Sequence, residues 1–246
     1  MLRSFALAAL GLFGVTAAAV AADLPGRRAS APAELVIPYS WSGFYVGANA
    51  GYGFSNNRHR PSCDPACAPT PALATDHDGF VGGGGFGYNQ QIGRILVGAE
   101  ADIQYADLGR TRIGAAPGAL AYSATQRLDY LGTFRVRLGF ATDRVLVYAT
   151  GGLAYGEVRD AQTVVFPAAT YAVGSTDLDV GYAAGAGLEY GFTSNLTGKA
   201  EALYYDLGRR RLTGPSTPPT GITRGARFET SGIVARAGLN YKFDLF

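Results

Sequence analysis

His59 and His77 are the only histidines in 246 residues, and acid–base or nucleophilic work at neutral pH usually needs one beside a nucleophile or a carboxylate. His77 stands between Asp76 and Asp78, but neighbours in sequence are a poor guide to a catalytic constellation. The only two cysteines, Cys63 and Cys67, flank Pro65 in a proline-rich stretch. In an exported chain such a close pair is expected to form a disulfide that tightens a loop. Metal ligation would need more ligands than the nearby His59 supplies. The Gly82–Gly85 run lacks the lysine and the helix of a phosphate loop and reads as strand. The expectation is therefore no enzyme, no cofactor and no metal centre, with His59 and His77 kept as candidate haem or metal contacts of a loop.

Most of the remaining chemistry is ionic. Arg127, Arg135, Arg137, Lys199, Arg236 and Lys242 fall on the same phase of an alternating pattern as Glu100, Asp102, Asp129, Asp179, Glu189 and Glu201. The two sets can pair. Buried ion pairs would fill a narrow interior; a selectivity ring in a conducting pore is the sharper role. Eight strands leave room for little beyond their own side chains, which favours the first.

The elements that must hold these charges are strands. From Arg127 to Phe140, Leu128, Tyr130, Phe134, Val136, Leu138 and Phe140 alternate with Arg127, Asp129, Thr133, Arg135 and Arg137, a period of two. Similar alternation starts at Trp41 and returns over 79–89, 95–105, 145–155, 178–190, 196–205 and 233–243. The pattern predicts an all-β fold, an eight-stranded antiparallel transmembrane up-and-down β-barrel over residues 41–246, eight being the smallest usual count in outer membranes. The charged face is also the glycine-rich face, which suits a narrow lumen, and aromatics collect toward strand ends as interfacial girdles would. A lipocalin-like barrel turned inside out would have to crowd Leu, Tyr and Phe into an interior too small for them. Tight connections at 90–93, 141–143 and 193–195 are expected on the periplasmic side. Stretches at about 55–78, 106–125, 159–177 and 208–226 are expected to be long outer loops.

Met1-Leu2-Arg3, the apolar run to Thr16 and Ala19-Val20-Ala21 form the three parts of a secretory signal peptide, residues 1–22. Residues 23–40, with Pro25, Pro32 and Pro38, read as a flexible periplasmic lead-in. With 21 basic and 19 acidic residues the chain is nearly neutral, which argues against a nucleic-acid partner. The expected partners are outer-membrane lipid and lipopolysaccharide.

Three stretches, Trp41-Ser42-Gly43-Phe44-Tyr45-Val46-Gly47, Tyr148-Ala149-Thr150-Gly151-Gly152-Leu153-Ala154-Tyr155-Gly156 and Gly238-Leu239-Asn240-Tyr241-Lys242-Phe243, resemble the porin-like outer-membrane surface antigens of alphaproteobacteria. Ala22-Asp23-Leu24-Pro25 matches that family's usual mature start. The resemblance implies an OmpA-type eight-stranded barrel in the cell outer membrane, surface-exposed and often immunogenic. A host or haem ligand at the loops is possible within the family, and a small diffusion pore is the reading its name suggests. It also implies that the barrel-insertion machinery reads an aromatic end. Here Tyr241 with Phe243 fits the family's terminus, while Asp244-Leu245-Phe246 follows, so Phe243 or Phe246 could serve. The cysteine pair departs from the family pattern.

Overall fold

A computed structural model of the protein describes residues 39–64, 72–74, 77–219 and 221–243. The expected signal peptide, nearly all of the lead-in, the Cys63–Cys67 bond, the His77 side chain and Phe246 lie outside what is described.

Eight long antiparallel strands close into a ring: β1 (Gly43–Ser55), β4 (His77–Ile92), β5 (Ile95–Gly114), β6 (Ala121–Thr142), β7 (Val145–Val165), β8 (Thr170–Gly191), β9 (Leu196–Thr217) and β10 (Thr223–Phe243), with β10 pairing back onto β1. Closure leaves no edge in the hydrocarbon layer, where an unpaired backbone group costs several kcal/mol. Two shorter strands extend the wall. β2 (Arg58–Asp64) continues the line of β1 along β10, and β3 (Leu73–Ala74) pairs with β2.

On β5 the outward residues Ile95, Val97, Ala99, Ala101, Ile103 and Tyr105 form an apolar column. That column covers about 34 Å of strand, or about 26 Å of height at a tilt near 40°, the height of a membrane barrel's apolar band. Matching columns on β6 and β7 run from Phe140 to Tyr130 and from Val145 to Tyr155. The fifth predicted strand, ambiguous by face in the sequence, turns Val145, Val147 and Leu153 outward and buries Leu146 and Tyr148.

The turns at Gly93-Arg94 and Asp143-Arg144 are two-residue hairpins whose first residue has φ of 64° and 47° respectively, the left-handed geometry that matches strand twist. Tight turns mark the periplasmic end.

The opposite end corrects the sequence reading. The expected loops at 106–125, 159–177 and 208–226 are mostly strand, and only 115–120, 166–169 and 218–222 connect β5 to β6, β7 to β8 and β9 to β10. The expected loop at 55–78 contains β2, β3 and the start of β4. Outward residues there, such as Thr111, Arg127 and Arg159, are polar, so hydrophobic period is silent, but ladder hydrogen bonds need no apolar side chain. The wall therefore rises roughly 20 Å or more above the belt, at ~3.4 Å per residue and the same tilt.

The boundary between belt and extension is marked by register shifts: between Tyr105 and Leu108, between Leu128 and Tyr130, and between Glu229 and Ser231. A bulge re-aims the following side chains. On β6 it turns Leu128 inward, out of phase with Arg135 and Arg137, and Leu128 there packs with Leu108 and Leu207, which keep the inward phase of their own strands, and with Val81, Leu131 and Val234.

Candidate functional site

The side chains that meet inside the belt come from five strands: Glu100 and Asp102 on β5, Arg135 and Arg137 on β6, Glu189 on β8, Lys199 and Glu201 on β9, and Arg236 on β10. Strand register sets opposite charges face to face, Glu100 against Arg135, Glu201 against Arg236 and Glu189 against Lys199, an arrangement that stabilises a sheet. Arg135 is the hub. Its Nη1 donates to Glu201 Oε1 at 2.5 Å, its Nη2 to Glu100 Oε1 at 2.7 Å and Asp102 Oδ2 at 2.6 Å, and its Nε to Thr133 Oγ1 at 2.8 Å.

Arg236 closes the same group from the other side, donating to Glu201 Oε2 at 2.7 Å and to Asp102 Oδ2 at 3.0 Å. Lys199 Nζ donates to both oxygens of Glu100, at 3.0 and 3.1 Å. One level toward the periplasm, Arg137 donates to Glu189 Oε2 and to the Tyr45 hydroxyl, both at 2.7 Å, and lies 3.9 Å from the centroid of the Tyr148 ring. Tyr45 in turn donates to Glu100 Oε2 at 2.7 Å. All eight charged groups are buried. Four cations meet four carboxylates, so the cluster is neutral, and burial of charge is tolerable because every member is paired and hydrogen-bonded.

Apolar layers cap this cluster on both sides within the lumen. Toward the periplasm Trp41 packs with Leu96, Leu146 and Tyr148, and its indole N–H donates to the Asp143 carbonyl at 2.9 Å. Toward the outside lies the layer of Leu108, Leu128, Leu131, Leu207 and Val234. The arrangement is a packed plug.

A family model for outer membrane protein β-barrel domains matches residues 5–243. The chain belongs to this family. It is 37% identical, over 98% of its own length and 100% of the relative's, to the 31 kDa outer-membrane immunogenic protein of Brucella melitensis. It is 27% identical, over 98% of its length and 99% of the relative's, to the 25 kDa outer-membrane immunogenic protein of Brucella canis. Among solved structures, the outer membrane protein OprG of Pseudomonas aeruginosa superposes with a TM-score of 0.55 at 14% identity, covering 82% of this chain and 96% of that one. That similarity speaks to fold alone. The protein is thus an outer-membrane β-barrel with alphaproteobacterial relatives.

Four of the charges expected in this outer-membrane barrel's lumen network, Arg127, Asp129, Asp179 and Lys242, lie outside the central cluster. Arg127 is exposed on the outer wall, where it ion-pairs with Asp107 at 3.5 Å and with Asp129 at 2.7 Å. The bulge at Asp129 is the cause, because it turns Leu128 inward and Arg127 outward. Asp179 faces inward above the belt and, with Asp177, pairs with Arg210. Lys242 is inside but at the periplasmic mouth, donating to the Ser40 carbonyl at 2.5 Å. Conversely, sequence reasoning missed Tyr45, Thr133 and Tyr148 as members; their inward phase on β1, β6 and β7 was the available signal.

His59 is placed on β2 rather than in a loop, fully buried on the inner face of the extension, with Phe228 5.0 Å away between ring centroids and the Tyr122 hydroxyl 3.3 Å from Nδ1. Burial pushes its pKa down to about 4. A haem or metal arriving at the surface would not reach it without opening the wall. On β7, burial raises the Asp160 carboxyl to about 7, helped by the charge of Asp179. Among the described residues no group of three His, Cys, Asp or Glu side chains is placed to hold a metal.

Proposed function

We propose that the protein is a non-conducting, non-catalytic barrel that presents its extended outer wall and short outer turns at the cell surface, where it acts as an envelope and interaction protein and, like the relatives named for it, as an antigen. The observation that carries this reading is the neutral plug of Arg135, Arg236, Lys199, Glu100, Asp102 and Glu201 between two apolar layers. A pore needs hydrated space for ions to pass, and these side chains satisfy one another instead of water. On the same reading residues 1–22 are removed on export, the Cys63–Cys67 disulfide staples the top of β2, and Phe243 or Phe246 is read during insertion.

Planar-bilayer recording of the refolded full chain is the test. The expected result is no stable unitary conductance from the wild type. A variant with Arg135→Ser, Arg236→Ser and Glu201→Ser should show it, because three long side chains then leave the cross-section. Stable unitary steps from the wild type would favour the diffusion-pore reading and overturn this one.

A further inference from the structure

Above the belt, three neighbouring strands, β2, β10 and β9, turn five arginines outward. Strand register sets Arg227 opposite Arg60 on one side and opposite Arg211 on the other. One outward level nearer the membrane, Glu229 lies between Arg58 and Arg209. With strands about 4.8 Å apart and successive outward levels about 7 Å apart, the five stems rise from a patch of about 10 by 7 Å. Glu229 pairs with Arg209 at 3.2 Å, and Asp206, lower on the wall, accepts the Gly208 N–H at 2.8 Å. Among the described residues, Arg58, Arg60, Arg211 and Arg227 have no carboxylate partner. Like charges directly opposite one another destabilise a sheet, and Arg227 has one on each side. The extension does not require such crowding elsewhere, since on β5 to β7 Arg127 and Arg159 are interleaved with Asp107, Asp129 and Glu157.

We propose that this arginine row binds the phosphates on the sugar headgroup of the outer leaflet's glycolipid, whose acyl chains lie against the belt below it. Guanidinium groups match phosphate geometry with two parallel hydrogen bonds, and an anion between adjacent arginines converts their repulsion into attraction. Height selects a lipid over a soluble polyanion. Arg58 stands four residues above Phe54, the last exposed aromatic of the belt on β1, which is about 10 Å of height at ~3.4 Å per residue and a tilt near 40°. The proposal depends on the orientation given by the tight periplasmic turns and not on whether the lumen conducts.

The test uses the full-length barrel in detergent, followed by the temperature at which its unboiled gel mobility is lost. Lipopolysaccharide with intact phosphates should raise that temperature by several degrees, and the phosphatase-treated glycolipid should not. The variant Arg60→Gln, Arg211→Gln, Arg227→Gln should lose the gain, while Arg127→Gln, Arg159→Gln keeps it. Without glycolipid the triple variant should melt no lower than the wild type, because its substitutions remove repulsion. Equal stabilisation by the dephosphorylated glycolipid, a retained gain in the triple variant, a lower melting temperature for that variant without glycolipid, or equal stabilisation by a soluble polysulfated saccharide would each overturn the proposal.

Discussion

Arg135 on β6 reaches across the lumen to Glu201 on β9, Nη1 to Oε1 at 2.5 Å, tying together strands that are not neighbours in the ring. With Arg236 of β10 on the same carboxylate, the contact braces the barrel across its diameter. Its cost is desolvation of both ions, which good geometry and further hydrogen bonds must offset.

Removing one partner should expose that cost. Arg135→Gln leaves Glu100, Asp102 and Glu201 buried and short of a cation, and we expect a loss of about 3–5 kcal/mol, read as a lower urea midpoint of the refolded barrel. Arg127→Gln is the contrast. Its side chain is 46% exposed and pairs with Asp129 at 2.7 Å and with Asp107, 61% exposed, at 3.5 Å, and such surface pairs contribute about 1 kcal/mol or less each. Equal losses from the two variants would contradict a buried plug.

The single tryptophan reports which face is inside. Trp41 is 3% exposed and packs against Leu96, Leu146 and Tyr148, all inward residues. Its emission in lipid vesicles should be blue-shifted, weakly quenched by acrylamide and insensitive to brominated acyl chains. Strong quenching by brominated lipid would place it on the outer wall instead and reverse the assignment of faces.

His59 and Asp160 predict a pH response of the extension. His59 titrates near 6.5 unfolded and about 4 folded, so between those values the unfolded state binds the extra proton and stability falls as pH falls. Asp160 moves from 3.8 to about 7, so there the folded state binds the extra proton and stability falls as pH rises. Across pH 4 to 6.5 the two slopes oppose and nearly cancel. His59→Gln should leave the Asp160 slope alone, a loss approaching 1.4 kcal/mol per unit of rising pH. Asp160→Asn should leave the reverse slope. Urea midpoints at pH 4.5 and 6.5 decide it; parallel behaviour in both variants would rule the account out.

Much of the belt was legible because membrane strands write their faces plainly. Phe134, Val136 and Leu138 against Arg135 and Arg137 is a code of period two, and the same rule placed Glu100, Glu201 and Arg236 indoors. The extension was not legible, since its outer face is polar and partly charged, leaving no hydrophobic contrast to read. Nor was the change of phase at the bulges. Asp129 looks from the sequence like one more inward charge, and only the ladder shows that two residues there oppose one. Two stretches of the sequence also echo one another, Ala99-Glu100-Ala101 with Asp107-Leu108-Gly109 and Ala200-Glu201-Ala202 with Asp206-Leu207-Gly208. Each copy places a glutamate in the plug and a leucine in the apolar layer above it. That shared demand accounts for the resemblance of the two stretches whether or not they descend from one.

Gly87 and Tyr45 should prove coupled. A Cβ built on Gly87 would lie 2.4 Å from the Tyr45 hydroxyl and 2.6 Å from the Ala99 carbonyl oxygen, so the glycine clears the space through which Tyr45 reaches Glu100. Gly87→Ala must shift both neighbours and loosen the Tyr45 contacts with Glu100 and Arg137, an overpacking cost of about 1–3 kcal/mol. Tyr45→Phe alone removes the hydroxyl that Glu100 and Arg137 share, a loss of about 1–3 kcal/mol for buried polar groups left short of a partner. In the double variant the contacts of that hydroxyl are lost only once, while the ring carbon that bore it, also 2.5 Å from the added Cβ, still has to move, so the combined loss should be smaller than the sum of the two by about 0.5 kcal/mol or more. Urea midpoints of the four proteins measure the cycle, and strict additivity would mean that Gly87 serves the Ala99 backbone alone and has no part in positioning the plug.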